Sequence, residues 1–155
     1  MDGALEQLAH EASLRALDKQ ERLLEELRAR TGILLAASSI AVSFLGDAVL
    51  GQSSAPVLEV AAVAAFVISM AASVYVLAPE RDLTFALSGP ALHAALYDRR
   101  TDMARVHRDL AFEFHFAWQS NNQTVTSLVK ANRIAAVALI VELLLLASLL
   151  GDSII

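Results

Sequence analysis

The most constraining feature of the sequence is that long apolar runs separate its positive charges into two groups. All twelve Lys and Arg residues of the 155-residue chain lie within residues 1–30 and 81–133. Apolar runs near 33–50, 57–78 and 134–150 separate these groups from residues 51–56 and 151–155, which contain no Lys or Arg. About 20 apolar residues cross a bilayer as a helix, and cytoplasmic loops are enriched in Lys and Arg. The pattern therefore predicts three transmembrane helices.

Composition favours a membrane protein over a soluble one. Apolar residues make up 56% of the chain, above the roughly 45–50% of an ordinary soluble domain. The alternative is a soluble helical bundle that buries these runs in its core. Residues 60–78 hold no Lys, Arg, Asp, Glu or Pro and are long for such a buried helix. We expect an all-α integral membrane protein with three transmembrane helices and long cytoplasmic helical extensions.

The predicted organisation has five segments. They are a cytoplasmic amphipathic helix at 1–30, transmembrane helices at 31–50, 57–78 and 134–150, and a cytoplasmic helical region at 79–133. Since no Gly or Pro interrupts 101–150, the cytoplasmic region should continue into the third span as one helix. The N-terminus then lies in the cytoplasm and the C-terminus outside. Arg outnumbers Lys and Ala is abundant, which favours a bacterial origin and hence the inner membrane.

Glu142 is the most unusual residue in the predicted spans. It lies midway between Arg133 and Asp152, near the bilayer midplane, where a charge costs about 2.5–3.5 kcal/mol on insertion scales. Ser38 and Ser39 stand at a similar depth in the first span. Two interpretations stay open: a carboxyl group that holds helices together by a hydrogen bond to serine, or a group in an ion or proton path.

The middle of the second span carries small side chains at helical spacing. Ser69 lies near its centre and could share the polar layer of Glu142. A stripe of small residues recurs every four positions, which lets a neighbouring helix approach closely. Its members are Ala61, Ala65, Ser69 and Ser73.

Four aromatic residues precede the third span. On a helix, Phe112 and Phe116 form one i,i+4 pair, and Phe114 and Trp118 form another on nearly the opposite face. Both faces need apolar cover. One could pack on the N-terminal helix and the other on a second subunit, which predicts a homo-oligomer. The alternative is a bundle within one chain that covers both faces.

Signals for enzyme chemistry are missing from the sequence. The chain has no Cys, so thiolate metal sites and cysteine nucleophiles are excluded. The four His residues show no metal-ligand spacing, and no HExxH, GxSxG, Walker or GxGxxG motif occurs. We predict no catalytic residue, no metal and no cofactor.

The basic residues indicate anionic contacts of another kind. Arg105 and Arg108 could contribute to binding an anionic ligand in the cytoplasm. Lys130 and Arg133 stand at the entry to the third span, where they should meet anionic lipid headgroups. A nucleic acid polymer is not an expected partner.

The order of parts resembles a known family. A charged helix enters the first span through the residues Leu-Arg-Ala-Arg-Thr-Gly-Ile-Leu-Leu-Ala-Ala at 27–37, and a basic Lys-Ala-Asn-Arg at 130–133 opens the last span. This arrangement is similar to that of the Pycsar effector transmembrane family over most of residues 20–150. The resemblance implies an antiphage effector that responds to a cyclic pyrimidine nucleotide and impairs the inner membrane.

Two other functions fit the same residues. Leu14, Leu17, Leu24 and Leu27 form an apolar face on the N-terminal helix, which could dock a partner if the chain is a non-catalytic scaffold or accessory subunit. A small ion channel is the third alternative, with Glu142 as its intramembrane carboxyl group.

Overall fold

The part of the chain that the structure describes forms three helices. The computed structural model describes residues 2–43, 56–78, 83, 85 and 103–154. Over these residues the helices are α1 (Asp2–Ala41), α2 (Pro56–Leu77) and α3 (Met103–Ile154), and no strand occurs among them. The predicted all-α class is confirmed.

The helix bounds follow from local sequence. Pro56 opens α2, where a missing backbone N–H costs nothing and the fixed φ suits the first turn. Residues 103–150 contain neither Gly nor Pro, and α3 continues unbroken over 52 residues. Gly32 does not interrupt α1, which continues to Ala41. Residues 44–50 of the predicted first span and most of 79–102 lie outside the described residues.

Two helices are long and apolar enough to cross a membrane. They are α2 and the apolar part of α3. Only 28% of the most apolar window of each is buried within the chain. The core helix of a soluble protein would be mostly buried, so most of this apolar surface still needs cover. Only the described residues enter this comparison, and the first predicted span is described only as far as residue 43.

The chain divides into two compact units. The polar unit combines Met1–Glu25 with Glu80–Thr126, and the apolar unit combines Glu26–Pro79 with Ser127–Ile155. Because α1 and α3 are each continuous, both helices contribute residues to both units.

In the polar unit, α1 and α3 pack in parallel. His10 stacks on His107 with ring centroids 5.4 Å apart, and ten residues further along α1, Gln20 Nε2 donates to the Trp118 carbonyl at 3.2 Å. Both contacts advance in the same direction on the two helices. Leu17 and Leu24 are buried on the same face of α1, and the apolar area that they bury stabilises the packing of this unit.

In the apolar unit, α1 runs parallel to α3, and α2 runs antiparallel to it. Thr31 contacts Asn132 and Ser38 contacts Glu142, so numbers rise together on α1 and α3. On α2 the order is reversed, because Ser69 lies against the Ala135 carbonyl whereas Ala62 clusters with Leu146 and Leu149. Both α1 and α2 therefore contact α3 in this unit, and small residues lie at the α2–α3 contact.

Candidate functional site

The centre of the apolar unit holds a buried carboxyl group. Glu142 is 0% exposed, and its Oε2 accepts a hydrogen bond of 2.7 Å from the Ser38 hydroxyl, which is also 0% exposed. Within the described residues, Glu142 Oε1 has no hydrogen-bond partner. The sequence paired these two positions only by depth, and the structure brings them into contact.

Ser39 does not join this contact. Its side chain is exposed, and its hydroxyl donates to the Leu35 carbonyl at 2.9 Å. Adjacent residues on a helix are about 100° apart, so Ser38 and Ser39 cannot both point at α3. Ser39 therefore shares the depth of Glu142 along the helix but not its contact.

A second polar contact joins α1 and α3 nearer the start of the unit. Thr31 Oγ1 lies 2.9 Å from Asn132 Oδ1 and 2.7 Å from the Leu27 carbonyl. Thr31 is 0% exposed. This pair was not predicted from the sequence, because polar residues near the ends of a span are usually solvated or contact lipid headgroups. The available signal was that Thr31 and Asn132 precede Ser38 and Glu142 on their helices, by seven and ten residues respectively.

The stripe of small residues on α2 is mostly buried, and it contacts α3. Ala65, Ser69 and Ser73 are buried, whereas Ala61 is only half-buried and Ala62 takes its place on the buried face. Ser69 Oγ donates to the Ala135 carbonyl at 3.2 Å, a contact that requires the two backbones to lie close together. The stripe therefore serves helix packing, with its start shifted by one residue.

The two aromatic pairs differ in cover. Phe114 is 8% exposed and its ring packs against His10, with centroids 5.4 Å apart. Trp118 is half-buried and stacks on His115. Phe112 and Phe116, by contrast, are 68% and 71% exposed. One aromatic face is thus covered by α1 of the same chain, and the other is left open.

A cavity of about 330 Å³ lies between α1 and α3 in the polar unit. Its size falls within the roughly 300–1,000 Å³ of ligand pockets. Arg108, Phe112, His115 and Glu6 supply its charged and aromatic groups. The remaining lining residues are Leu5, Ala9, Ser13 and Ala111.

The cavity is lined by one basic side chain, Arg108, one acidic side chain, Glu6, and aromatic rings. Arg108 supplies a cation, and its Nε lies 3.6 Å from Asp109 Oδ1, an exposed ion pair that is weak in water. Phe112 supplies an aromatic face for stacking. Arg105 is exposed and does not line the cavity. Of the two arginines predicted to contact an anionic ligand, only Arg108 lines the cavity.

The two basic residues at the entry to the third span also differ. Arg133 lines a groove between α2 and α3 in the apolar unit, and Lys130 is exposed outside that groove.

No protein-family model, curated protein or solved structure matches this chain. Function must therefore be inferred from its own residues and contacts.

Several contacts of the polar unit were not expected. His10 and His107 stack although 97 residues separate them, and Leu5 and Glu6 reach the cavity from the first turns of α1. Both follow from the parallel register of α1 and α3. The signal that could have found them is the shared offset of about 100 residues between polar positions on the two helices.

We predict that Ser38→Ala lowers the free energy of unfolding by about 1–2 kcal/mol, because it leaves a buried carboxyl oxygen without its donor. The neighbouring Ser39→Ala should change that free energy by less than about 0.5 kcal/mol, since Ser39 is exposed and bonds only within its own helix. Unfolding by sodium dodecyl sulfate, followed by circular dichroism in mild detergent, measures both. Equal losses in the two variants would contradict a stabilising Ser38–Glu142 contact.

Proposed function

We propose that this protein is a bacterial inner-membrane effector with three spans, whose polar unit binds a small anionic ligand in the cytoplasm and thereby alters the packing of its membrane helices. The observation that carries the proposal is a cavity bearing Arg108 and Phe112, built from the same two helices that supply Ser38 and Glu142 to the apolar unit.

Membrane insertion is supported by the outer faces of the apolar unit. Large aliphatic side chains cover them on all three helices, with exposures such as 70% for Ile33, 69% for Val60 and 66% for Leu144. Such a surface is unfavourable in water and favourable in lipid. The first span is supported by Ile33 and Ile40, which are exposed near the end of α1.

The ligand proposed for the cavity is a cyclic pyrimidine nucleotide. A cyclic mononucleotide carries one phosphate charge and one planar base, which match the guanidinium of Arg108 and the ring of Phe112. The identity of the base comes from the resemblance to Pycsar effectors. The cavity chemistry alone supports the broader class of small aromatic anions.

The transmission step follows from helix continuity. A ligand seated between α1 and α3 in the polar unit changes how these helices pair there. The same helices are joined by Thr31–Asn132 and Ser38–Glu142 in the apolar unit. Since an unbroken helix is stiff, a small rotation or slide of α1 along α3 reaches those contacts. Loss of the contacts would loosen the membrane helices and make the bilayer leak, which is the effect of an antiphage effector.

Self-association is supported by the open aromatic face. Phe112 and Phe116 lie one turn apart, and both are more than two-thirds exposed. Exposed aromatic pairs are enriched at protein interfaces. All copies of a membrane protein with one topology are oriented alike, so Phe116, which does not line the cavity, can meet the same residue of a second subunit.

A scaffold is the second candidate function. Leu17, Leu24 and Leu27 of the expected docking face are buried within the chain, so that face is not available to a partner. Leu5 and Leu8, which are 72% and 66% exposed near the start of α1, favour a scaffold instead. These side chains would suit a partner protein that docks on the N-terminal helix. A scaffold needs neither a ligand nor membrane leakage, so activity measurements separate it from the effector.

The topology predicts a defined pattern of labelling. Because the chain has no Cys, single-cysteine variants can be labelled without background. In spheroplasts, an impermeant maleimide should label Ser53→Cys and Ser153→Cys, whereas Ala12→Cys and Ser120→Cys should react only after permeabilisation. Protection of Ser153→Cys together with Ser120→Cys would contradict a third span.

The oligomer predicts a matched pair of cross-linking results. In isolated membranes treated with an oxidant, Phe116→Cys should form a covalent dimer, because that side chain is exposed. Phe114→Cys should stay monomeric, since its position is covered by His10 of the same chain. Monomer alone from both Phe112→Cys and Phe116→Cys would contradict association through this face.

The effector predicts ligand-dependent leakage of dye from liposomes that contain the purified protein. A cyclic pyrimidine nucleotide should trigger leakage, and Arg108→Gln should raise the half-maximal concentration by about 10- to 100-fold through loss of a charged hydrogen bond. Arg105→Gln is the matched control and should change it little, because Arg105 does not line the cavity.

Each contrary outcome has a distinct meaning. Equal losses in the Arg108 and Arg105 variants would contradict the cavity as the binding site. Absence of leakage with any cyclic mononucleotide, from protein shown to be inserted, would contradict the effector and favour the scaffold.

A further inference from the structure

The outer surface of the apolar unit carries a groove between α2 and α3. Its volume is about 400 Å³. Ala65 and Ala138 form its floor, with exposures of 7% and 9%, and Ile68, Val137 and Val141 rise at its sides with exposures of 43–61%. The groove is therefore a long apolar depression that opens to the surroundings of the unit.

The groove exists because small residues lie where α2 and α3 approach each other. Ser69 Oγ reaches the Ala135 carbonyl at 3.2 Å, which brings the two helices close together. About one turn away, the methyl groups of Ala65 and Ala138 are too short to fill the space between the branched side chains beside them. A flexible hydrocarbon chain fits such a space better than a rigid side chain would.

One end of the groove is positively charged. Arg133 lines it one turn before Val137, and Arg133 is the only charged residue among the lining residues. Glu142 is buried away from the surface and offers Arg133 no exposed counter-ion. An apolar channel with one guanidinium at its end matches a molecule with a hydrocarbon tail and an anionic head.

We propose that this groove binds one anionic phospholipid, with its phosphate on Arg133 and an acyl chain along Ala65 and Ala138. The assignment depends on the membrane insertion proposed above, and not on ligand sensing or leakage. From Arg133 to Val141 the helix rises about 12 Å, which is a stretch that an acyl chain can follow. In the proposed topology Arg133 lies on the cytoplasmic side, at headgroup depth.

A second copy of the chain is a poorer occupant of the groove. Subunits with one topology place Arg133 at the same depth, so a two-fold partner seated here would bring two guanidinium groups together in a medium of low dielectric constant. A phospholipid brings the opposite charge to the same point. Charge complementarity therefore favours the lipid.

The test is native mass spectrometry of the delipidated protein titrated with phosphatidylglycerol, and with phosphatidylcholine of the same acyl chains. Phosphatidylglycerol should bind more tightly, with one high-affinity site per chain. Arg133→Gln should weaken that site by about tenfold, and Lys130→Gln should not, because Lys130 carries the same charge outside the groove. Glycerol phosphate without acyl chains should not compete.

A second pair of variants tests the apolar part. Ala138→Leu fills the floor and should weaken both lipids, whereas Ala147→Leu adds the same volume at an exposed position outside the groove and should leave binding unchanged. Circular dichroism checks that both variants keep their helices. The lipid measurement needs no nucleotide, so it can fail while leakage succeeds, or the reverse.

Three results would overturn the proposal. Equal losses for Arg133→Gln and Lys130→Gln would mean general attraction of anionic lipid to a basic surface. Competition by glycerol phosphate alone would mean that the site binds phosphate and not a lipid. Dimers that disappear only in Ala138→Leu would mean that a second copy occupies the groove.

Discussion

The pairing of α1 with α3 determines the rest of the structure. In lipid, apolar helix faces gain little by meeting each other, because the surrounding chains are equally apolar. Polar contacts then determine which faces meet and in what register. In the apolar unit, this role falls to Thr31–Asn132 and Ser38–Glu142, whose side chains are buried or half-buried. A change of register by one residue would replace either partner with a neighbour that points about 100° away, and the contact would be lost.

The register of these two contacts is consistent with side-chain length. The partners are 101 residues apart in the first pair and 104 in the second. Three residues correspond to about 4.5 Å of helix rise. Side chains of a helix tilt toward its N-terminus, so the longer Glu142 reaches back by about this distance to Ser38. The two helices can therefore stay in parallel register without distortion.

The positions of the helices can be predicted well from the sequence, because strong local signals agree. Pro56 and the long runs without Gly or Pro determine where α2 and α3 form. Position along the predicted spans is also readable, since flanking charges place Ser38 level with Glu142. The direction in which a side chain points around its helix is harder to predict. Ser38 and Ser39 lie at nearly the same depth, and only the position of α3 distinguishes them.

The candidate site was harder to predict for the same reason. The spacing of the aromatic residues predicts two opposite faces, but it cannot say which face α1 covers. The cavity depends on residues about 100 positions apart, and no local pattern links Glu6 to Arg108. Long-range register is a property of packing and not of propensity.

The charge pattern of the polar unit shows where its surfaces meet water. The exposed positions of α1 include Arg15, Asp18, Lys19 and Arg22, which favour solvent. On α3, residues 112–126 contain one charged residue, Glu113. Depletion of charge beside exposed aromatic rings is typical of an interface core.

The remaining exposed positions on this part of α3 are mainly uncharged and polar, including Gln119, Ser120, Asn122 and Thr126. Amides and hydroxyls both donate and accept hydrogen bonds, so like residues can pair across a symmetry axis where like charges would repel. Such a face is complementary to itself. The charges of α1 would instead oppose their own copies, which makes α3 the better helix for contact between identical subunits.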